Sequence, residues 1–154
     1  MTVTLGPTVN ANNPYAETAV ATPRGNAVVT TRFIPARDDA SRWALTAGGS
    51  GTCVSEFRDI SFRFTTYTPW KWDYSTITWM GTTSYSYWAL PLFWWDSMYT
   101  YNDWAPGWQY AWGNGRATMK YGTKPIGFPL FSVHVNALVD AWGNCTPAVS
   151  VRWF

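Results

Sequence analysis

The sequence predicts an all-β protein: an antiparallel β-sandwich or jelly roll of about eight strands, preceded by an extended N-terminal arm. Three observations predict it. Apolar residues nowhere recur at three- and four-residue spacing for the length of a helix, because Pro, Gly and Thr interrupt each candidate. Two segments alternate with period two: Ile60, Phe62 and Phe64 against Ser61, Arg63 and Thr65, and Phe131, Val133, Val135 and Ala137 against Ser132, His134 and Asn136. Turn signals such as "GNG" and "APG" punctuate the chain at short intervals.

Taken in order, residues 1–25 are rich in Asn, Pro, Thr and Ala and read as an arm, and residues 26–154 as one sandwich domain. The β-branched "NAVVTTRFI" (26–34) is the first expected strand. The Gly-rich "TAGGSGT" (46–52) reads as a flexible turn, since no Lys or helix follows to make a phosphate loop. Strands are then expected at 58–67, 74–80, 84–93, 98–104, 116–122 and 131–139, with a closing strand in "AVSVRWF". No repeat, low-complexity tract or composition shift marks a second domain.

The composition limits the function classes. The chain is 154 residues long with a net charge of +2, 47% hydrophobic and 13% charged, against roughly 25% charged in an average domain. That profile opposes disorder and implies a surface that does not simply face water. Eleven Lys and Arg are scattered from Arg24 to Arg152, so no basic stripe argues for nucleic acid as the primary ligand. The longest apolar run, "WALPLFWW", is broken by Pro91 and too short to span a bilayer. No signal peptide is visible, and "NCT" at Asn144 is read as a chance acceptor motif. Cys53 and Cys145 are too few for a metal knuckle; two buried thiols and a disulfide are both open.

Chemistry finds few candidates. His134 stands on the polar face of its strand, where a lone histidine is usually a solvated or hydrogen-bonded group. No serine occupies a G-x-S-x-G elbow, and the adjacent Asp38 and Asp39 would point apart in an extended chain. The expectation is a protein that is not an enzyme and carries no cofactor or metal.

The aromatic residues carry more information. Nine of the twenty residues in "YSYWALPLFWWDSMYTYNDW" (85–104) are Tyr, Trp or Phe. Alternation puts Tyr85, Tyr87 and Ala89 on one face and Ser86, Trp88 and Leu90 on the other, so both faces are apolar and both want covering. The candidate interface or ligand aromatics are Trp88, Trp94, Trp95, Tyr99, Tyr101, Trp104 and Trp108. Asp96, Asn102 and Asp103 supply the carboxylates and amide that a sugar site needs beside its rings.

Short motifs in order along the chain resemble the fivefold-proximal capsid protein of picornaviruses and their relatives. They are "ETAVATP" (17–23), "VVTTRFI" (28–34), "GTCV" (51–54), "FRFTTYTPWKW" (62–72), "STITWMG", "WALPLFWWDSMYTYND" (88–103) and "FSVHVNALVDAWGNCTP". This resemblance implies a jelly-roll structural subunit of a virion. It would assemble with other capsid subunits into an icosahedral shell, its arm lying across a neighbour, with a host receptor and enclosed genomic RNA as further partners. No Arg-Gly-Asp motif carries over.

A second set resembles the fungal fruit-body lectins, which share the actinoporin-like sandwich: "NNP", "LTAGGSGT" (45–52), "SFRFTTYTPWKWD" (61–73) and "GNGRATMKY" (113–121). It implies a cytoplasmic or secreted protein binding a carbohydrate or lipid headgroup, with Ser50 and Gly51 at the sugar. The family's His-Asn pair falls near Thr68 and Pro69, a departure at that site.

Overall fold

The computed structural model describes residues 2–36 and 48–154 and contains eleven strands: β1 (Thr2–Leu5), β2 (Tyr15–Thr22), β3 (Gly25–Pro35), β4 (Gly49–Arg58), β5 (Phe62–Trp72), β6 (Ile77–Met80), β7 (Ser84–Ala89), β8 (Phe93–Trp104), β9 (Tyr110–Tyr121), β10 (Phe128–Asp140) and β11 (Cys145–Trp153). Two antiparallel sheets face each other. One is five-stranded, in the order β1-β11-β10-β9-β8; the other is six-stranded, in the order β2-β3-β4-β5-β6, with β7 also pairing β5. The all-β sandwich expected from the sequence is the observed class. Its connections differ from a jelly roll, in which successive strands alternate between sheets. Here β2 to β5 and β8 to β11 are two meanders, each hairpin staying in its own sheet.

Two elements lie where an arm is expected. β2 pairs along β3, from Tyr15 opposite Arg32 to Thr22 opposite Gly25. β1 pairs with β11, and between them Val9, fully buried, exchanges both backbone hydrogen bonds with Cys145 at 2.8 and 2.9 Å. Residues 2–25 therefore hold two strands at the edges of the chain's own sheets. Alternating Ala, Thr and Val in "YAETAVAT" suit a partly exposed edge strand, a weaker pattern than the large apolar residues of a core strand.

The turn expected at 46–52 is corrected in its second half. β4 begins at Gly49, and its glycines allow ring packing: a Cβ on Gly49 would strike the Trp72 ring and one on Gly51 the Phe33 ring. The strand expected over 58–67 is instead two strands meeting at a turn. The Asp59 carboxylate accepts hydrogen bonds from the Ser61 and Phe62 amides there, and Ile60 is 90% exposed at its tip. Asp38 and Asp39 lie outside the described residues.

The interior has two apolar clusters. The larger gathers Phe57, Phe62, Phe64, Trp95, Met119, Phe131 and their Val neighbours. The smaller gathers Val9, Phe33, Trp70, Trp72, Ile77, Val139 and the two cysteines. Between them runs a polar seam. Thr66 and Thr68 on β5 are buried opposite Gly115 and Gly113 on β9, whose missing side chains let the threonines approach, and Ser55 on β4 is buried beside Thr66. Cys53 and Cys145 form a disulfide, S–S 2.03 Å, that joins β4 of one sheet to β11 of the other across a separation of 92 residues. Of the two states open from the sequence, this is the cross-linked one.

Candidate functional site

Outward positions on neighbouring strands of the five-stranded sheet fall side by side because the register is continuous. Tyr99 on β8 stands opposite Arg116 on β9, Arg116 opposite His134 on β10, and His134 opposite Ser150 on β11. One row above, Thr118 faces Ser132 at 3.1 Å, and Ser132 stands opposite Arg152. These side chains, with Ser97 and Phe154, line a groove of about 530 Å³ on the outside of the sheet.

A hydrogen-bond network holds the floor. Asn114 is buried on this otherwise outward row. Its Oδ1 accepts from His134 Nε2 at 2.8 Å and from Asn136 Nδ2 at 2.7 Å. Since an amide oxygen only accepts, His134 carries its proton on Nε2. Tyr101 stacks on the imidazole at 6.2 Å and 26°, and Tyr99 on Tyr101 at 6.0 Å and 24°. Arg116 Nε donates to Tyr101 Oη at 3.3 Å, which raises its pKa further and keeps it charged. Burial, reinforced by the Arg116 charge and opposed by Asp103, holds the His134 pKa below its ordinary value. His134 is therefore neutral at pH 7. Among the described residues, neither Arg116 nor Arg152 has a carboxylate at ion-pair distance; the pairs present are Arg58–Glu56, Arg63–Glu56 and Lys120–Asp96. The groove thus offers two available guanidinium groups, four small hydroxyls and a half-exposed Tyr99 ring.

The seven aromatics expected to act together are dispersed. Tyr99 lines the groove, and Tyr101 stacks on Tyr99 and on His134. Trp94 is half-buried on the same face, with the Lys120 and Lys124 ammonium groups 5.2 and 5.4 Å from its ring. Trp95 is a correction: it is buried, edge-on to Phe62 and Phe131 at 5.7 and 5.8 Å, and its Nε1 donates to the Trp88 carbonyl. A bulge between Asp96 and Tyr99 reverses which residues of β8 point inward, so simple alternation misassigns that strand. Trp88 lies exposed on edge strand β7, and Trp104 and Trp108 pack at 4.6 Å at a different end.

The five residues of the alternative sugar site do not converge. Ser50 and Gly51 are on β4 of the six-stranded sheet, whereas Asp96, Asn102 and Asp103 are on β8 of the other. Asp96 pairs with Lys120 at 2.8 Å, which lowers its pKa. Asn102 turns inward, accepting from Thr83 Oγ1 at 2.6 Å and donating to the Gly81 carbonyl at 2.8 Å. Asp103 receives a long contact from Asn114 Nδ2 at 3.5 Å.

Sequence reasoning placed His134 on a polar face but missed Arg116, Arg152 and the hydroxyls. Each is an ordinary outward polar residue until the strand register aligns four of them. Among the described residues no three His, Cys, Asp or Glu side chains gather as a metal site, and no helix is long and apolar enough to cross a membrane. What fold and site define is a two-meander β-sandwich with a polar groove across one sheet. Compared with known proteins, the chain matches no family model, no curated protein and no solved structure.

Proposed function

We propose that this protein is a saccharide-binding sandwich whose groove takes an acidic sugar. The observation that carries this reading is the half-exposed Tyr99 ring beside Arg116, with Arg152 farther along the same groove and, among the described residues, neither guanidinium paired to a carboxylate. A ring face suits the C–H side of a pyranose. Serine and threonine hydroxyls exchange donor and acceptor roles with sugar hydroxyls. Arginine forks match a carboxylate or sulfate in bidentate fashion. The groove is built from strands, so little ordering is needed on binding.

Titration calorimetry with glucuronate- or sulfate-bearing oligosaccharides and their neutral counterparts tests the reading. Acidic ligands are expected to bind at least about tenfold tighter than neutral ones, and Arg116→Ala to lose on the order of tenfold or more. A wild-type protein that binds neither class, or an Arg116→Ala variant with unchanged affinity for the acidic one, refutes it.

A second reading, a shell-forming subunit, is favoured by one feature. Edge strand β7 exposes Tyr85, Tyr87 and Trp88 together, and an aromatic edge is a ready surface for another chain. Its other supports are weaker, because the first residues pair within the chain's own sheets and the strand order is not a jelly roll. Light scattering that finds particles, rather than small species, would favour this reading over the first.

A further inference from the structure

Four turns converge at one end of the sandwich, and hydrogen bonds and a cation–ring contact tie them to one another. The β2–β3 turn brings Arg24, whose Nη2 donates to Ser61 Oγ at 3.4 Å and whose guanidinium lies 4.9 Å from the Phe93 ring. The β4–β5 turn accepts a hydrogen bond from Leu90 on the β7–β8 turn at the Ser61 carbonyl, 2.9 Å. The β9–β10 turn joins at Gly122, which donates to the Leu92 carbonyl at 2.8 Å.

The tips of this end are apolar and exposed. Ile60 is 90% exposed, Ile126 84%, Phe128 72% and Leu92 54%. Leu92 is held there at φ 72°, a left-handed conformation that a leucine adopts only under constraint. The turns also carry the cations Arg24 and Lys124. Their one carboxylate, Asp59, is directed into its own turn by the Ser61 and Phe62 amides.

From this arrangement we propose that the four-turn end docks on an anionic lipid bilayer, with Ile60, Leu92, Ile126 and Phe128 entering the headgroup boundary and Arg24 and Lys124 resting at the phosphates. Charge complementarity selects this occupant. Separate apolar prongs beside cations suit a fluid interface that closes around each of them. A protein partner would instead need a continuous, closely packed patch with buried ring or Arg anchors. A second copy of the same end would bring Arg24 and Lys124 against their own kind. The site is distinct from the groove and does not depend on sugar binding.

Co-sedimentation of the full chain with sugar-free vesicles tests this. The probes are phosphatidylcholine alone and phosphatidylcholine with one-fifth phosphatidylserine. The protein is expected to pellet with the anionic vesicles and to release as salt rises. An Ile60→Asp/Ile126→Asp variant, altered only at highly exposed positions, is expected to bind about tenfold more weakly or less. Lys124→Glu should lose at least about fivefold, and Trp108→Ala, at the opposite end, should bind as the parent does. Absence of vesicle binding overturns the proposal, as does equal binding to both vesicle types or by the Ile60→Asp/Ile126→Asp variant. Self-association abolished by Ile60→Asp would also overturn it, since the tips would then cover one another.

Discussion

The two ends of the sandwich are built from the same kind of tight turn and finished with different side chains. At one end, Ile60, Leu92 and Ile126 project beside Arg24 and Lys124. At the other, the tips are aromatic: Trp104 packs on Trp108 at 4.6 Å, and Tyr110 on Trp142 at 5.9 Å. The described turns of that end hold Asp73 and no Lys or Arg. Backbone bonds join those turns too, Ile77 N to the Trp108 carbonyl and Ala141 N to the Gln109 carbonyl. Beneath each end lies a matching interior. The first end covers the Phe-rich cluster, through which no disulfide passes. The aromatic end covers the smaller cluster, where the disulfide fastens the sheets and Val9 bonds to Cys145 on β11. The difference teaches that this fold is stabilised by two separable means, with the threonine–glycine seam as the boundary.

That division can be broken from either side. The largest effect is expected at the disulfide. Closing a loop of this length constrains the unfolded chain by roughly 4–5 kcal/mol in the chain-entropy account, so Cys53→Ser/Cys145→Ser should lower urea-measured stability by about that amount. Hydrogen exchange should show the amides around Trp72 and Val139 opening first. If those around Phe64 and Phe131 open first instead, the two clusters are not separable. Next comes Phe131→Ala. This ring meets Phe62 at 5.0 Å, Trp153 at 4.8 Å, Phe57 at 5.7 Å and Trp95 at 5.8 Å. Its removal should cost about 3–4 kcal/mol while leaving the disulfide-side amides protected to the end of unfolding.

The smallest effect sharpens the comparison from outside the core. His134 has its pKa depressed in the fold, by burial first and Arg116 second. As the pH falls, the unfolded chain therefore takes up this proton before the folded one does. The stability contributed by the neutral ring is complete above about 6.5, the group's ordinary value, and is lost as the pH drops through the depressed one. Asp73 and Asp96 are held below 3.8, by hydrogen bonds from Thr76 and Lys120 respectively, and so act in a lower window. A melting-temperature series from pH 8 to 5 should fall modestly for the parent chain and flatten for His134→Asn. An unchanged slope would show that other groups carry the acid sensitivity.

The fold was legible where alternation is strong and side chains are large, as in β5 and β10. It was hidden where local chemistry imitates something else. "GGSG" has the composition of a turn, yet Gly49 and Gly51 are small so that Trp72 and Phe33 can lie on a strand. "YAETAVAT" has the small residues of an arm, yet they suit an edge. The groove was less legible still. Arg116, His134 and Arg152 become neighbours only through the register of β9, β10 and β11, and a single sequence holds no register. The bulge in β8 likewise sent Trp95 inward against a strict two-residue period.

The meander order also sets a sequence of events in time. Nearly every strand pairs with one made just before or just after it, so each sheet can zip up from local hairpins with little loop closure. β7, which skips β6 to pair with β5, is a small exception, and β1 is a large one. The partner of β1 is β11, so of these eleven strands β1 must wait longest for its place. With only two cysteines in the sequence, oxidation within one chain has a single outcome and needs no reshuffling. It can form once β11 has delivered Cys145 to Cys53, and the Val9 backbone pairs with that same Cys145.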